Sequence, residues 1–142
     1  MKPVLLVQLG STLFMVGLIW FVQIVHYPLF AAVPESASAA YERAHTERTT
    51  WVVIVPMLIE LGSAVWLAAL PGEDRALRYL GVGLVGLVWA STFFLQVPMH
   101  ERLSSGFDAS AHARLVLTNW IRTVAWTARG ALVLYLLNKA LR

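Results

Sequence analysis

Several polar side chains lie inside long apolar stretches of this chain, and their types could support chemistry. His26 and His100 could act as acid/base groups or as metal ligands, while Arg122 and Asn119 could hold an anionic or carbonyl oxygen. Glu60 is a candidate acid or base, because ionisable residues at membrane depth are rare and often functional. These residues predict a buried polar site without naming a reaction.

The histidines also form a candidate metal site. Imidazoles from helices 1 and 3, His26 and His100, could combine with His45 to ligate iron, copper or zinc. Further candidate ligands are His112, Glu42, Glu47 and Glu101. Axial haem ligation is a weaker alternative, since the ring would be poorly covered at the end of the spans. The plain structural alternative is that each histidine hydrogen-bonds a loop at the membrane surface.

Each predicted helix carries one polar stripe, and in lipid such stripes must face the bundle interior. The stripes comprise Gln8, Thr12, Gln23 and His26 on helix 1, His45, Thr49, Glu60 and Ser63 on helix 2, Trp89, Thr92, Gln96 and His100 on helix 3, and Asn119, Arg122, Trp126 and Arg129 on helix 4. From the rise of ~1.5 Å per residue, Glu60 and Arg129 should pair near the centre. That pair would either fix the helix register or handle protons. Toward the end of the bundle that carries the histidines, a hydrogen-bonding layer and then a histidine-rich opening, the histidine mouth, should follow.

Four apolar stretches, 4–25, 51–70, 79–99 and 115–137, must position these residues. Each is long enough to cross a hydrocarbon core of ~30 Å as a helix. Hydrophobic residues make up 58% of the chain and charged residues 13%, which is typical of a membrane protein. We therefore predict an all-α fold, a single domain over 1–142 that forms an integral membrane four-helix bundle. Helices 2 and 4 should extend beyond the bilayer, and the first stretch should be a retained span rather than a signal peptide.

The ends of the helices follow from local signals. Helix 1 should end at His26 or Tyr27, because Pro28 disfavours helix in the residue before it. Pro56 should kink the second span, and Asp108 is a good N-cap for helix 4. The charged extension of helix 2 is interpreted mainly as a solvated face with i,i+4 pairs; it contains Glu42, Arg43, Glu47 and Arg48.

Composition and charge exclude several classes of protein. The absence of cysteine excludes disulfides, thiolate zinc sites and iron–sulfur ligation. The net charge of +3 is spread along the chain, so nucleic-acid binding is not expected. Five basic residues flank the side that holds both termini and four flank the other, which favours cytoplasmic termini and an extracytoplasmic histidine mouth.

Two segments resemble a known family. Val97-Pro98-Met99-His100-Glu101-Arg102-Leu103, followed by Asn119-Trp120-Ile121-Arg122-Thr123, is similar to the small four-span proteins grouped as anthrone-oxygenase-like. Their pattern is V-P-x-N-x-x-L followed by W-x-x-x-N-x-x-R-T, so His100 replaces an Asn and the Trp of the second segment is displaced. The likeness covers about the last 45 residues, and the rest only by span count. It implies oxygenation of a polycyclic aromatic anthrone without a well-established cofactor, and site positions His100, Asn119 and Arg122.

Two classes of function are consistent with these observations. The first is a small oxidoreductase-like or ligand-binding membrane protein, with its site between the helices at the histidine mouth. The second is a non-catalytic subunit or assembly factor of a larger membrane complex, in which the polar residues only stabilise packing. Expected partners are the lipid bilayer, a membrane protein or second copy of the chain, and a small hydrophobic ligand. The sequence leaves open whether the protein is an enzyme.

Overall fold

Four helices and no strands make up the computed structural model, which describes residues 1–142. We label them α1 (Lys2–Ala32), α2 (Glu35–Ala69), α3 (Arg75–Leu103) and α4 (Ala109–Leu141). Short connections make consecutive helices antiparallel. Helix α1 packs against α2 and α4, and α3 packs against the same two helices. The predicted all-α four-helix bundle is confirmed.

Three of the helices, α1, α2 and α3, are long and apolar enough to cross a membrane. Helix α4 is 33 residues long but less apolar, because it carries Asn119, Arg122 and Arg129 in its buried face. Its outer face presents Leu117 and Val124, which are 70% and 62% exposed. Apolar side chains on the outer face of a helix and polar side chains on its buried face are the pattern expected in lipid.

The two ends of the bundle differ in chemistry. The terminal end holds both chain termini and the α2–α3 connection, and a small apolar cluster packs there, formed by Leu5, Leu67, Leu136 and Leu137. The histidine end holds all four histidines and the other two connections. A larger apolar cluster lies on that side and includes Met15, Ile19, Val88, Leu115 and Trp126.

The predicted end of helix 1 was wrong, because α1 continues through Pro28 to Ala32. The turn before the proline, Val22–His26, is π-helical, and its widened geometry lets the Tyr27 N–H reach the Val22 carbonyl. Proline is tolerated in the first turn of the helical segment that follows, because no helical hydrogen bond requires its N–H there. Helix α3 likewise has a π-helical turn, Thr92–Gln96, just before Pro98. Helix α2 also runs unbroken through Pro56.

Asp108 is the N-cap of α4, as predicted. Its carboxylate accepts hydrogen bonds from the backbone N–H groups of Ser110 and Ala111, at 2.9 and 3.0 Å. These bonds hold the pKa of the Asp108 carboxyl below its usual range, because they stabilise the charged form. The cap fixes the start of α4, and with it the depth of every polar residue on that helix.

Candidate functional site

The predicted ion pair lies in the centre of the bundle. Glu60 and Arg129 are almost completely buried, and Arg129 Nε donates to Glu60 Oε1 at 3.0 Å. The carboxylate also accepts from the Thr12 hydroxyl at 2.6 Å and from the Trp126 indole N–H at 2.7 Å. The prediction of a paired Glu60 and Arg129 is confirmed.

The other two nitrogens of Arg129 also have hydrogen-bond partners. Nη1 donates to the Gly81 carbonyl of α3 at 2.7 Å. The Gln8 carbonyl oxygen, in the amide orientation that pairs every group, accepts from Nη2 at 2.7 Å. The adjoining cavity measures only about 10 Å³, room for a single water at most. The pair thus connects all four helices and leaves no space for a substrate, which indicates a structural role.

Arg122 organises a second polar layer nearer the histidine end. Its Nε donates to Asn119 Oδ1 at 2.9 Å, and its Nη2 donates to the Tyr27 hydroxyl at 3.1 Å and to Gln96 Oε1 at 3.4 Å. Asn119 in turn donates to Gln23 Oε1 at 2.8 Å. The predicted hydrogen-bonding layer is therefore present, with Tyr27 as an added member.

The histidine end forms two linked pairs. His100 lies between Glu42, which contacts its Nδ1, and the Tyr27 hydroxyl, which lies 2.9 Å from its Nε2. His45 Nδ1 lies 2.8 Å from His26 Nε2 and 3.1 Å from the Thr49 hydroxyl. No hydrogen bond engages His45 Nε2, so this nitrogen is available to a ligand.

Glu42, His45 and His100 together offer a metal-binding set. One ligand atom from each residue lies within 4.8 Å of the other two. A first-row metal takes its ligands at about 2.0–2.2 Å, so two ligand atoms on one ion are separated by at most about 4.4 Å. Small side-chain movements would bring the three ligand atoms onto one ion, with the His100–Glu42 contact opening to admit it. Two histidines and one carboxylate leave open coordination positions, as catalytic sites require.

The assignment of Glu42 to a solvated face was wrong, because only 2% of the residue is exposed. Glu42 and His45 are three residues apart, which places both on the same face of α2. This Glu-x-x-His spacing, used by metal sites in helical bundles, is a sequence signal for the pair, and the expectation that no such spacing is present was wrong. His26, predicted as a ligand, lies outside this set and contacts His45.

The neighbouring contacts suit metal ligation. A ligating imidazole commonly hydrogen-bonds a further group through its second nitrogen, which fixes the tautomer and the ring orientation. The Tyr27 hydroxyl occupies that position for His100, and His26 with Thr49 occupies it for His45. His112 stands apart, with its Nε2 2.8 Å from the Tyr27 carbonyl oxygen.

An open pocket of about 340 Å³ adjoins the set. Residues of α2 and α3 form most of its wall: His45, Thr46, Thr49, Thr50 and Val53, and Thr92, Gln96, Val97, His100, Glu101 and Ser104. Helices α1 and α4 contribute only Tyr27 and Arg122, so the pocket opens between α2 and α3. Its size falls within the range of small-molecule sites.

The predicted site residues fall into two groups. His100, Arg122 and His45 line the pocket, whereas Asn119 and Glu60 do not. Tyr27 was not predicted as a site residue, although it stands four positions after Gln23 on the polar stripe of α1.

Comparison with known proteins adds no relative. No family model matches the chain, and no curated protein or solved structure matches it either. The function has to be argued from the site itself.

Proposed function

We propose that this protein is a membrane-embedded metal-binding protein of oxidoreductase type, with Glu42, His45 and His100 as ligands and the adjoining pocket as the substrate site. The observation that carries the proposal is the convergence of these three side chains from α2 and α3 within 4.8 Å. Two-histidine, one-carboxylate sets with open positions are characteristic of non-haem Fe(II) oxygenases, although zinc uses similar donors. The resemblance to anthrone-oxygenase-like proteins favours oxidation chemistry, and it does not distinguish between these metals.

Each ligand position has supporting chemistry. Glu42 would contribute the charge that a divalent ion needs, and its burial would protect that interaction from solvent. Tyr27 and His26 would orient the two imidazoles through their second nitrogens. Arg122 would face a bound substrate from the wall of the same pocket.

The proposal includes a four-pass topology with the histidine end outside the cell. Helix α4 would cross the membrane despite its polar residues, because those residues point into the bundle and its outer face is apolar. The metal site would then lie at the extracytoplasmic surface of the membrane, where ions and lipid-soluble molecules both have access.

Metal analysis of purified protein tests the proposal. The unaltered protein should retain one equivalent of a first-row transition metal after extraction in mild detergent and dialysis. His45→Ala and His100→Ala should lose it, while His112→Ala, a histidine at the same end outside the set, should keep it. His26→Ala should weaken binding about 10–100-fold without abolishing it.

Equal metal content in all four variants would overturn the proposal. A metal-free protein that copurifies with a stoichiometric membrane partner would instead support the alternative role as a subunit or assembly factor. Circular dichroism of each variant confirms that the helices are intact before its metal content is compared.

A further inference from the structure

Arg122 is a buried cation without a carboxylate partner. Only 8% of the residue is exposed, and its hydrogen-bond partners, Asn119, Thr92, Gln96 and Tyr27, are all uncharged. None of the salt bridges in the structure includes it. A buried charge left uncompensated is strongly unfavourable, so a counter-ion is expected to reach it from outside the chain.

Glu42 is the only acidic group connected to Arg122 by hydrogen bonds, and the connection is indirect. It passes from Glu42 through His100 and the Tyr27 hydroxyl before it reaches the guanidinium. In the metal-loaded site the Glu42 charge is committed to the ion. A divalent ion, one carboxylate and one guanidinium together leave the pocket with a net positive charge.

The guanidinium has a free side toward the pocket. Nη1 makes a single contact, with the Thr92 hydroxyl at 3.4 Å, which is long for a hydrogen bond. Nη1 carries two protons, so this one contact leaves the second proton without a partner in the protein. Because Arg122 lines the pocket, its Nη1 protons can donate to an anion there.

We propose that the pocket binds an amphipathic carboxylic acid, whose carboxylate pairs with Arg122 and whose apolar chain leaves between α2 and α3. This inference rests on the proposed metal site, because the ion removes Glu42 as a counter-charge. A single guanidinium matches a single negative charge and the fork geometry of a carboxylate. The hydroxyls of Thr49 and Thr92 lie in the same wall.

The direction of the opening supports an apolar chain on the ligand. The gap lies between two helices that can cross a membrane, and Val97 at its rim is 37% exposed. The same stretches of α2 and α3 present Val52 and Phe93 outward, 49% and 55% exposed. A chain that leaves by this route would pass directly into lipid, while its charged end stays in the pocket.

Titration calorimetry on metal-loaded protein in nanodiscs of zwitterionic lipid tests this inference, with octanoate and 1-octanol as probes. Octanoate should bind saturably at one site, and octanol, which has the chain without the charge, should bind at least tenfold more weakly. Arg122→Gln should weaken octanoate binding at least tenfold, and Arg122→Lys should weaken it less. Arg114→Gln, an exposed arginine on the same helix, should leave it unchanged.

Equal affinities for octanoate and octanol in the unaltered protein would overturn the inference, even if Arg122→Gln does not fold. Unchanged octanoate binding in a folded Arg122→Gln variant would overturn it as well. Metal content measured on the same samples separates the two proposals. Bound metal without octanoate selectivity overturns the acid site and leaves the metal site standing. Arg122-dependent octanoate binding to protein that takes up no metal overturns the metal site and shows that the acid site does not need the ion.

Discussion

The Tyr27 hydroxyl lies 2.9 Å from Nε2 of His100, and this contact joins α1 to the histidine end of α3. The same oxygen accepts a hydrogen bond from Arg122 at 3.1 Å. One buried phenol therefore connects a proposed metal ligand to the cation of the substrate pocket. A change at His100 or at Arg122 should therefore alter the position of the other group through the Tyr27 hydroxyl.

Replacement of Tyr27 by phenylalanine should lower metal affinity about 10–100-fold, because His100 loses the group that orients its ring. The aromatic packing against Phe30, with ring centroids 5.5 Å apart, should be retained, so the protein should fold. Competition with a chromophoric chelator measures the affinity. Tyr41→Phe, which removes a hydroxyl from an exposed tyrosine of α2, is the matched control. Equal losses in both variants would argue against an orienting role for Tyr27.

The central ion pair should behave as a structural element. Glu60→Leu or Arg129→Met alone should destabilise the protein by about 3–5 kcal/mol, since either leaves a buried charge unpaired. The double variant should recover most of that loss, because both charges are removed together. Unfolding in mixed micelles of increasing SDS fraction measures these free energies.

Lys139→Met serves as the surface control for that series. It removes the exposed pair of Lys139 with Asp74, whose 2.8 Å contact is open to solvent and should matter little. A double variant less stable than either single variant would mean that the pair contributes more than mutual neutralisation.

Helical spacing predicted the Glu60–Arg129 pair because depth and face depend only on the rise and period of a regular helix. The same reasoning continued the stripe of helix 1 from Gln23 to His26 rather than to Tyr27. The π-helical turn Val22–His26 takes about one more residue than a regular turn and brings Tyr27 onto that face. Helical spacing also missed the burial of Glu42. With helix 1 assumed to end before Pro28, no neighbour was expected over this part of α2. In the structure Phe30, in the continued helix, lies over His45 with ring centroids 5.0 Å apart.

The N-cap of α4 should make stability depend on acidity. Hydrogen bonds from Ser110 and Ala111 lower the pKa of Asp108 in the folded protein, so its stabilising effect is present at neutral pH. The effect should fade as the pH falls below about 4 and through the lowered pKa. Asp108→Asn keeps an accepting oxygen but cannot titrate.

Thermal unfolding of both forms across this pH range isolates the effect of Asp108, because the other carboxyl groups titrate in both proteins. The unaltered protein should lose more stability than Asp108→Asn on acidification. Parallel curves would show that the charge of the cap contributes nothing.

The absence of cysteine makes the topology directly measurable. Single cysteines at Ser105, Glu73 and Arg142 report on the histidine end, the terminal end and the end of α4, and all lie in exposed segments. A membrane-impermeant maleimide on intact cells should label Ser105→Cys. It should reach Glu73→Cys and Arg142→Cys only after the cells are permeabilised.

The position of Arg142 decides the number of spans, because an even number of crossings after Glu73 returns the chain to the same side. Labelling of Arg142→Cys together with Ser105→Cys, but not Glu73→Cys, would mean that α4 does not cross and that the bundle has three spans. The burial of Arg122 and Arg129 could then no longer be explained by the need to keep charged side chains away from lipid. The opposite pattern at all three positions would keep four spans, reverse the orientation, and place the metal site and the pocket on the cytoplasmic side.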